Sequence, residues 1–314
     1  NFHFIQGIRP EKEYEYVEKS RKVVSLFSGG LDSLSGVKHL LDNNKDPILI
    51  SHCIQNLVCH IQSTLSELID KALTKRIEFH QISARQVPGK GLAQSEISQK
   101  SRSFLFLSIA SIFALELGIR DIYLFENGVL AMNLPIVESR SFNNTKTAHP
   151  DFLNQFNTLL RNLYGCVTAV QTPFVYKTKG EVIRLLDCQK FQPMVKETLS
   201  CSELGGLRWK GIKISETRHC GICVPCILRK FAVLAAHMEP YDSKYEIDIL
   251  GDFDKLPTEA KTTIMQTLDF GHRLELHSDD DVFNEIHEFY TESVDPQPII
   301  QMTRRYIAEV KACL

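Results

Sequence analysis

The sequence predicts an α/β fold, a doubly wound parallel sheet with helices on both faces. Three observations predict it: β-rich runs alternate with helical apolar spacing up to residue 171, a glycine turn joins the first strand directly to the first helix, and 43% hydrophobic residues among 314 supply a core. The first strand is expected over 23–27, with the turn Ser28-Gly29-Gly30-Leu31-Asp32-Ser33 directly after it. A helix should begin near Leu31 and carries apolar spacing over 34–41. In order follow a strand over 47–53, a helix over 57–72, a strand over 77–82, a strongly apolar helix over 104–117, a strand over 122–125, a helix over 152–164 and a last strand over 167–171. In such a sheet ligands lie at the carboxyl ends of the strands. Two long polar segments, 83–100 and 126–150, leave such ends. The second contains Asn127, Gly128, Asn133, Pro135, Arg140 and Asn143 and is expected to touch substrate; its other reading is a surface loop.

The turn is suited to phosphate. Gly29 and Gly30 let the backbone approach an anion without Cβ obstruction, and the following helix aims its free N–H groups at the same spot. Ser28 and Ser33 add hydroxyl donors, and Asp32 can hold Mg2+ or water beside the phosphates. The plainer reading is a serine that caps a helix. The run departs from the Walker-type loop, which ends in Gly-Lys-Ser/Thr. It resembles the PP-loop of the ATP pyrophosphatase family, SGGxDS, which implies an adenine nucleotide α-hydrolase-like fold and activation of a substrate as its adenylate.

The formal net charge is −2, but residues 241–314 hold 16 acidic and 7 basic side chains, so the front of the chain is basic and the end acidic. That balance suits a phosphate-bearing small ligand and argues against a nucleic-acid track. The acidic end reads as a solvated face, with helical apolar spacing at Ile299, Ile300, Tyr306, Ile307, Val310 and Leu314. No apolar stretch reaches membrane-spanning length, and the start lacks a basic n-region and an apolar h-region, so the cytoplasm is the expected compartment. The first residue is Asn1 rather than Met, so upstream residues are expected to be missing from this numbering. Boundaries are expected near 190 and 240: a nucleotide-binding domain over 1–190, a metal-binding segment over 191–240 packed on it, and an acidic, partly helical extension over 241–314.

Nine cysteines in such a compartment argue against a disulfide framework. Cys53, Cys59, Cys166, Cys188 and Cys313 lie in apolar surroundings and read as core residues. Cys220, Cys223 and Cys226 stand at two-residue spacing, and Cys201 lies upstream across a loop containing Gly205 and Gly206. Four thiolates satisfy tetrahedral Zn2+ and close the site, which predicts a structural zinc knuckle. An iron–sulfur cluster and buried free thiols are the alternatives. His219 is a substitute ligand or a neighbour, and an apolar helix from Leu228 to Ala236 should pack the knuckle onto the sheet.

The turn together with Cys201…Cys220-x-x-Cys223-x-x-Cys226-x-x-Arg229 resembles the QueC family, the 7-cyano-7-deazaguanine synthases. Further matching segments are Arg102-Ser103, Pro150-Asp151-Phe152, Thr172-Pro173-Phe174, Thr178-Lys179-Gly180-Glu181 and Thr198-Leu199-Ser200-Cys201, all within about residues 22–237. The resemblance implies that ATP adenylates the carboxylate of 7-carboxy-7-deazaguanine, that an amine then attacks to give an amide, and that a second ATP turns the amide into a nitrile. It implies ATP, Mg2+ and structural Zn2+ as cofactors. Ser28, Gly29, Gly30, Leu31, Asp32 and Ser33 then hold pyrophosphate and Mg2+, while Lys179 and Arg102, otherwise surface charges, neutralise phosphate.

Departures are informative too. The family's Tyr-Gly-Gln segment is replaced by His52-Cys53-Ile54-Gln55-Asn56, and its substrate loop by Asn127-Gly128 through Asn133-Leu134-Pro135. With the added C-terminal residues, this resembles the QueC-like proteins of bacterial anti-phage operons, the QatC proteins and those of type IV CBASS systems. There the activated base passes to the amino terminus of a partner protein, so a protein acceptor from the same operon is implied; a homodimer is allowed for. Three other functions stay open: a 7-cyano-7-deazaguanine synthase in queuosine biosynthesis, a PP-loop tRNA thiolase, and a nucleotide-bound scaffold without catalysis.

Overall fold

β1 (Lys22–Leu26) is the middle of the sheet, and its sequence shows why: Val23, Val24 and Ser25 alternate between two covered faces and are all buried. The computed structural model describes residues 20–53, 55–84, 101–134, 148–165, 168–202, 219–286 and 295–313. After β1 come α1 (Leu31–Asp42), β2 (Asp46–His52), α2 (Asn56–Leu73), β3 (Phe79–Ile82), α3 (Arg102–Glu116), β4 (Asp121–Tyr123), α4 (Gly128–Ala131), α5 (Pro150–Tyr164), β5 (Ala169–Gln171) and α6 (Lys179–Ile183). The rest is helical: α7 (Val224–Ala235), α8 (Thr258–Leu276), α9 (Asp279–Ile286) and α10 (Pro296–Ala312).

The five strands lie in the order β3-β2-β1-β4-β5 and every pairing is parallel. This is the expected doubly wound sheet. The chain moves outward from β1 to β2 and β3, then crosses back to β4 on the other side of β1. The reversal between β1 and β4 is the topological switch point, where such sheets bind ligands at their carboxyl edge. Both the glycine turn after β1 and the segment after β4 leave the sheet there.

Packing on one face holds α1 and α2 through Leu34, Val37, Leu65 and Ile69; the other face holds α3 and α5 through Leu107, Ala110, Phe156 and Leu160. Gly36 of α1 lies flat against Phe125, where an added Cβ would come within 2.1 Å of the ring. This contact seats the first helix close to the end of β4.

A third core joins the cysteine segment to the C-terminal helices, with Ile227, Phe231, Phe270, Ile300 and Ile307 among its buried members. Thus α10 forms on the apolar spacing expected of it, and its apolar face is buried. Three consecutive acids, Asp279 to Asp281, fill the first turn of α9, where the helix dipole favours negative charge. Among the described residues no helix is long and apolar enough to cross a membrane.

One expectation is corrected. Cys53 and Cys59 are joined in a disulfide, with Cα atoms 5.2 Å apart, and Cys188 and Cys313 are half-buried rather than core residues. The chain leaves β2 at Cys53 and enters α2 three residues before Cys59, so the turn itself brings the two sulfurs together. Cys166, Pro135, Arg140, Asn143, Gly205, Gly206 and Leu314 lie outside the described residues.

Candidate active site and metal centre

Gly29 takes the left-handed φ of +82° that glycine tolerates, and this reverses the chain out of β1. A Cβ there would come within 3.2 Å of Gln62, and one on Gly30 within 3.3 Å of the Leu199 carbonyl. Four hydrogen bonds set the turn's shape. Ser28 Oγ donates to Ser33 Oγ (3.2 Å) and accepts from the Gly30 N–H (3.3 Å), while Ser33 Oγ donates to the Gly30 carbonyl (2.9 Å). The Leu199 N–H reaches the Gly29 carbonyl at 3.0 Å, so the segment leading to Cys201 braces the turn. No side chain caps α1, which begins at Leu31. The first-turn N–H groups and the hydroxyls around them form a cradle for an anion.

Asp32 is the charged centre. It is 9% exposed, and Lys179 Nζ lies 2.7 Å from its Oδ1. Asn127 gives its Oδ2 two bonds, from Nδ2 at 2.6 Å and from the backbone N–H at 3.2 Å. Three separate stretches therefore converge here: the turn after β1, the start of α4 and the start of α6. Lys179 is presented by a capping box in which Thr178 and Glu181 satisfy each other's backbone N–H groups. Taking a carboxylate and an ammonium from water is costly, and at this depth each is tolerated because it has its counter-charge.

Two cavities flank the turn. One, of about 180 Å3, lies over the ends of β1, β2 and β4 between Leu26, Ile50, His52, Phe106, Leu124 and Arg102. The Arg102 guanidinium sits 5.2 Å from the centre of the Phe106 ring. The other, of about 190 Å3, is walled by Asp32, Lys179, Leu199, Ser200, Pro225 and Leu228. Ser28, Phe125 and Glu126 border both. A ligand in each would meet at the glycine turn.

The four clustered cysteines come together as their spacing suggests. All four sulfurs lie within 4.8 Å of one another, with Cys220 3.8 Å from Cys226 and Cys201 3.9 Å from Cys223. Four thiolates about 2.3 Å from a single tetrahedral ion stand about 3.8 Å apart, so the donor set fits one metal ion. Hydrogen bonds from Cys201, Cys220 and Cys226 hold the Cys223 thiol far below its usual range, and sharing of the same protons pushes Cys226 up. Gly221, at φ +83°, passes so close to Ile247 that a Cβ would fall 1.9 Å from its carbonyl oxygen. His219 stands beside the cluster and is otherwise engaged: Nε2 accepts from the Ser200 N–H at 3.1 Å, and Nδ1 is 2.7 Å from Ser243 Oγ.

Arg229 links the knuckle to the turn. Its fully buried guanidinium reaches Asp242 (2.6 Å), Thr198 Oγ1 (2.8 Å), Ser200 Oγ (3.2 Å) and the Val195 carbonyl (2.9 Å). Burial works against its charge, and Asp242 with Tyr245 outweighs that. So the segment that braces Gly29 is itself held by α7, the helix that carries Cys226.

The sequence-derived site residues therefore separate into three groups. Ser28, Gly29, Gly30, Leu31, Asp32, Ser33 and Lys179 lie together, Arg102 lies across the first cavity, and Cys201, Cys220, Cys223 and Cys226 form the cluster. Asn127 and Gly128, expected at substrate, are fully buried; Asn127 is spent on Asp32, and a Cβ on Gly128 would come within 2.4 Å of the Val175 carbonyl. Asn133 is half-buried with φ +50°. Sequence reasoning passed over Glu126, in the wall of both cavities, and the bracing role of Arg229. The signal for Arg229 was present in its fixed spacing after Cys226.

The family model described as queuosine biosynthesis protein QueC matches residues 45–237. The match begins after the glycine turn and ends before α8. No curated protein matches the chain. Among solved structures, a U34-tRNA thiolase NcsA from Methanococcus maripaludis, with its [4Fe-4S] cluster, is 12% identical at a TM-score of 0.39, over 85% of this chain and 74% of that one.

Proposed function

The chain belongs to the QueC family and is a PP-loop enzyme that uses ATP; we propose, on that premise, that it adenylates the carboxylate of a 7-deazaguanine and transfers the acyl group to an amine. The observation that carries this reading is the pair of cavities meeting at Ser28, one on each side of the phosphate cradle. In this reading the adenosine part of ATP lies between His52, Phe106 and Leu124, its phosphates lie on the turn, and the carboxylate substrate enters beside Lys179 and Ser200.

A carboxylate is a poor electrophile because its charge is delocalised over two oxygens. One of those oxygens attacks the α-phosphorus, the bond to the β-phosphate oxygen breaks, and pyrophosphate leaves. The amine then attacks the acyl carbon, AMP departs with the bonding pair, and the amine loses a proton. Charge accumulates on the phosphates during the first step. The first-turn N–H groups of α1, the Ser28 and Ser33 hydroxyls and Lys179 are already oriented to receive it, which is how a preorganised site lowers such a barrier. Asp32 keeps the Lys179 ammonium in place until phosphate arrives. Asp32 would hold Mg2+, a cation that takes one or two carboxylates, and the ion would supply further charge neutralisation.

Zinc is the proposed occupant of the cysteine cluster. The sulfur separations support one ion, because a cluster in which each cysteine binds a different iron spreads its ligands further. Its role is structural, with four protein donors and no open position. Arg102, across the first cavity, is proposed to neutralise phosphate, and Asn127 to orient Asp32.

The altered segments after β2 and β4 and the added C-terminal helices support a protein amine as acceptor, as in the QueC-like proteins of anti-phage operons. The test is the mass of the product. Incubation with ATP, 7-carboxy-7-deazaguanine and the co-expressed operon neighbour should yield an amide on the neighbour's amino terminus, and ammonium in the neighbour's place should yield no nitrile. A nitrile formed from ammonium would identify a queuosine-pathway synthase instead, and no adduct with either amine would overturn the transfer.

A further inference from the structure

The helix α10, outside the part of the chain that the family model matches, reaches the catalytic pair through one carboxylate. Glu309 Oε1 accepts a 2.7 Å hydrogen bond from Thr178 Oγ1, and the Glu309 carboxylate packs against Gly180. These residues flank Lys179. A Cβ on Gly180 would fall 2.5 Å from Glu309 Oε1, so glycine is what admits the carboxylate. One turn earlier in α10, Arg305 holds Glu181 Oε1 at 2.7 Å and the Tyr176 carbonyl at 2.8 Å. The other oxygen of Glu181 closes the capping box on Thr178 at 2.8 Å. Thr178 and Glu181, the two residues of the capping box that starts α6, thus both end on α10.

From these contacts we propose that Glu309 is a positioning residue, which sets Lys179 for the ATP phosphates by fixing Thr178 and Gly180 on either side of it. The second arm of the site is fixed from the same helix. Met302 would lie 3.0 Å from a Cβ on Gly128, next to Asn127, the other partner of Asp32. The Gly128 N–H bonds the Lys177 carbonyl at 2.8 Å, which ties the two arms together. The space between α10 and the pair, lined by Asn127, Lys179, Tyr306 and Glu309, is about 10 Å3, so at most one water separates them. Glu309 itself is 11% exposed, and Arg184 Nη1, 3.8 Å away, is its counter-charge. A displacement of α10 is therefore a displacement of Lys179.

The proposal rests on the ATP-binding part of the proposed function and not on its deazaguanine substrate. The experiment is the affinity of the full chain for Mg-ATP, with thermal midpoints recorded beside it. Glu309→Ala should weaken binding about tenfold, because Thr178 loses its charged acceptor and Gly180 its packing partner, and Glu309→Gln, which keeps one acceptor oxygen, should stay within about twofold of wild type. In a Lys179→Met background, Glu309→Ala should change ATP affinity no further, while its thermal midpoint still falls as it does in wild type. Equal weakening in both backgrounds would make Glu309 a packing residue, and unchanged affinity in Glu309→Ala would overturn the proposal outright. Protein that binds ATP but forms no deazaguanine adduct leaves the positioning role standing and removes the substrate; protein that binds no ATP overturns both.

Discussion

Asp32→Ala is expected to abolish ATP cleavage and to destabilise the protein at the same time. The carboxylate is the shared acceptor of Lys179 and Asn127, and both donors are buried. Its removal leaves an ammonium, 8% exposed, without a counter-charge, which costs about 3–5 kcal/mol when one partner of a buried pair is lost. For catalysis, losing a preorganised charged group of this kind lowers kcat by about 10²–10³-fold. The Asp32→Asn variant separates the two effects. It retains the shape and an acceptor oxygen for Lys179, so its thermal midpoint should lie closer to wild type, while its loss of charge should leave AMP release near that of Asp32→Ala. If Asp32→Asn keeps wild-type AMP release, the carboxylate has no part in the chemistry.

The second large effect is expected at the cysteines. Cys226 is fully buried, and its sulfur lies 3.8 Å from Cys220. Cys226→Ala should reduce bound metal from one ion per chain to well below that, as measured by elemental analysis. Structural zinc contributes about 10–16 kcal/mol of apparent binding energy in small metal-folded domains. That is as large as the about 5–15 kcal/mol net stability of a whole globular protein. The expected outcome is a chain that melts far below wild type, and a chelator should act on wild type in the same direction. Damage should spread to the nucleotide site by a defined route: α7 carries Arg229, Arg229 holds Thr198 and Ser200, and Leu199 between them braces Gly29. Full metal content and an unchanged melting temperature in Cys226→Ala would refute this arrangement. A brown protein with visible absorption would point to iron and sulfur instead of zinc.

Much of the fold could be read from local pattern, and the residues show where local pattern ends. The alternation of strand and helix up to residue 171 places β1 to β5 within two residues of their observed ends, because parallel strands buried on both faces give continuous apolar runs bounded by turns. The glycine turn was legible because its anion-binding geometry is built from six consecutive residues. The cysteine cluster was legible because two-residue spacing survives folding. The bonds that complete the site were not legible: Asn127 to Asp32 spans 95 positions and Lys179 to Asp32 spans 147, and no spacing rule reaches that far. Thr178 and Glu181 did carry a local signal, the three-residue spacing of a capping box, which marks the start of α6. The helix α8 buries Ala260, Ile264, Phe270 and Leu274 at helical spacing, but Thr267 and Gly271 interrupt that stripe and weaken its signal. Cys53 and Cys59 show the opposite limit, where composition argued for thiols and the turn from β2 into α2 placed two cysteines six positions apart in bonding distance.

The extension beyond the matched region takes on a definite place in this account. Its helices do not form a separate body beside the nucleotide-binding part; α10 shares a core with α7 and supplies Glu309 and Arg305 to the start of α6. Two of its charged pairs, Arg304 with Asp279 and Lys311 with Glu275, join α10 to the rest of the extension at the surface, where solvent screens them. The buried contacts to α6 and α7 outweigh them.

Carboxylate-dependent release of AMP is the measurement that tests the central claim most directly. Purified, metal-loaded protein is mixed with ATP and Mg2+, with and without 7-carboxy-7-deazaguanine, and the nucleotide and phosphate products are separated. Adenylation predicts AMP and pyrophosphate in equal amounts, formed only when the carboxylate is present and lost in Asp32→Asn. Release of ADP and phosphate, or AMP release indifferent to the carboxylate, would contradict it.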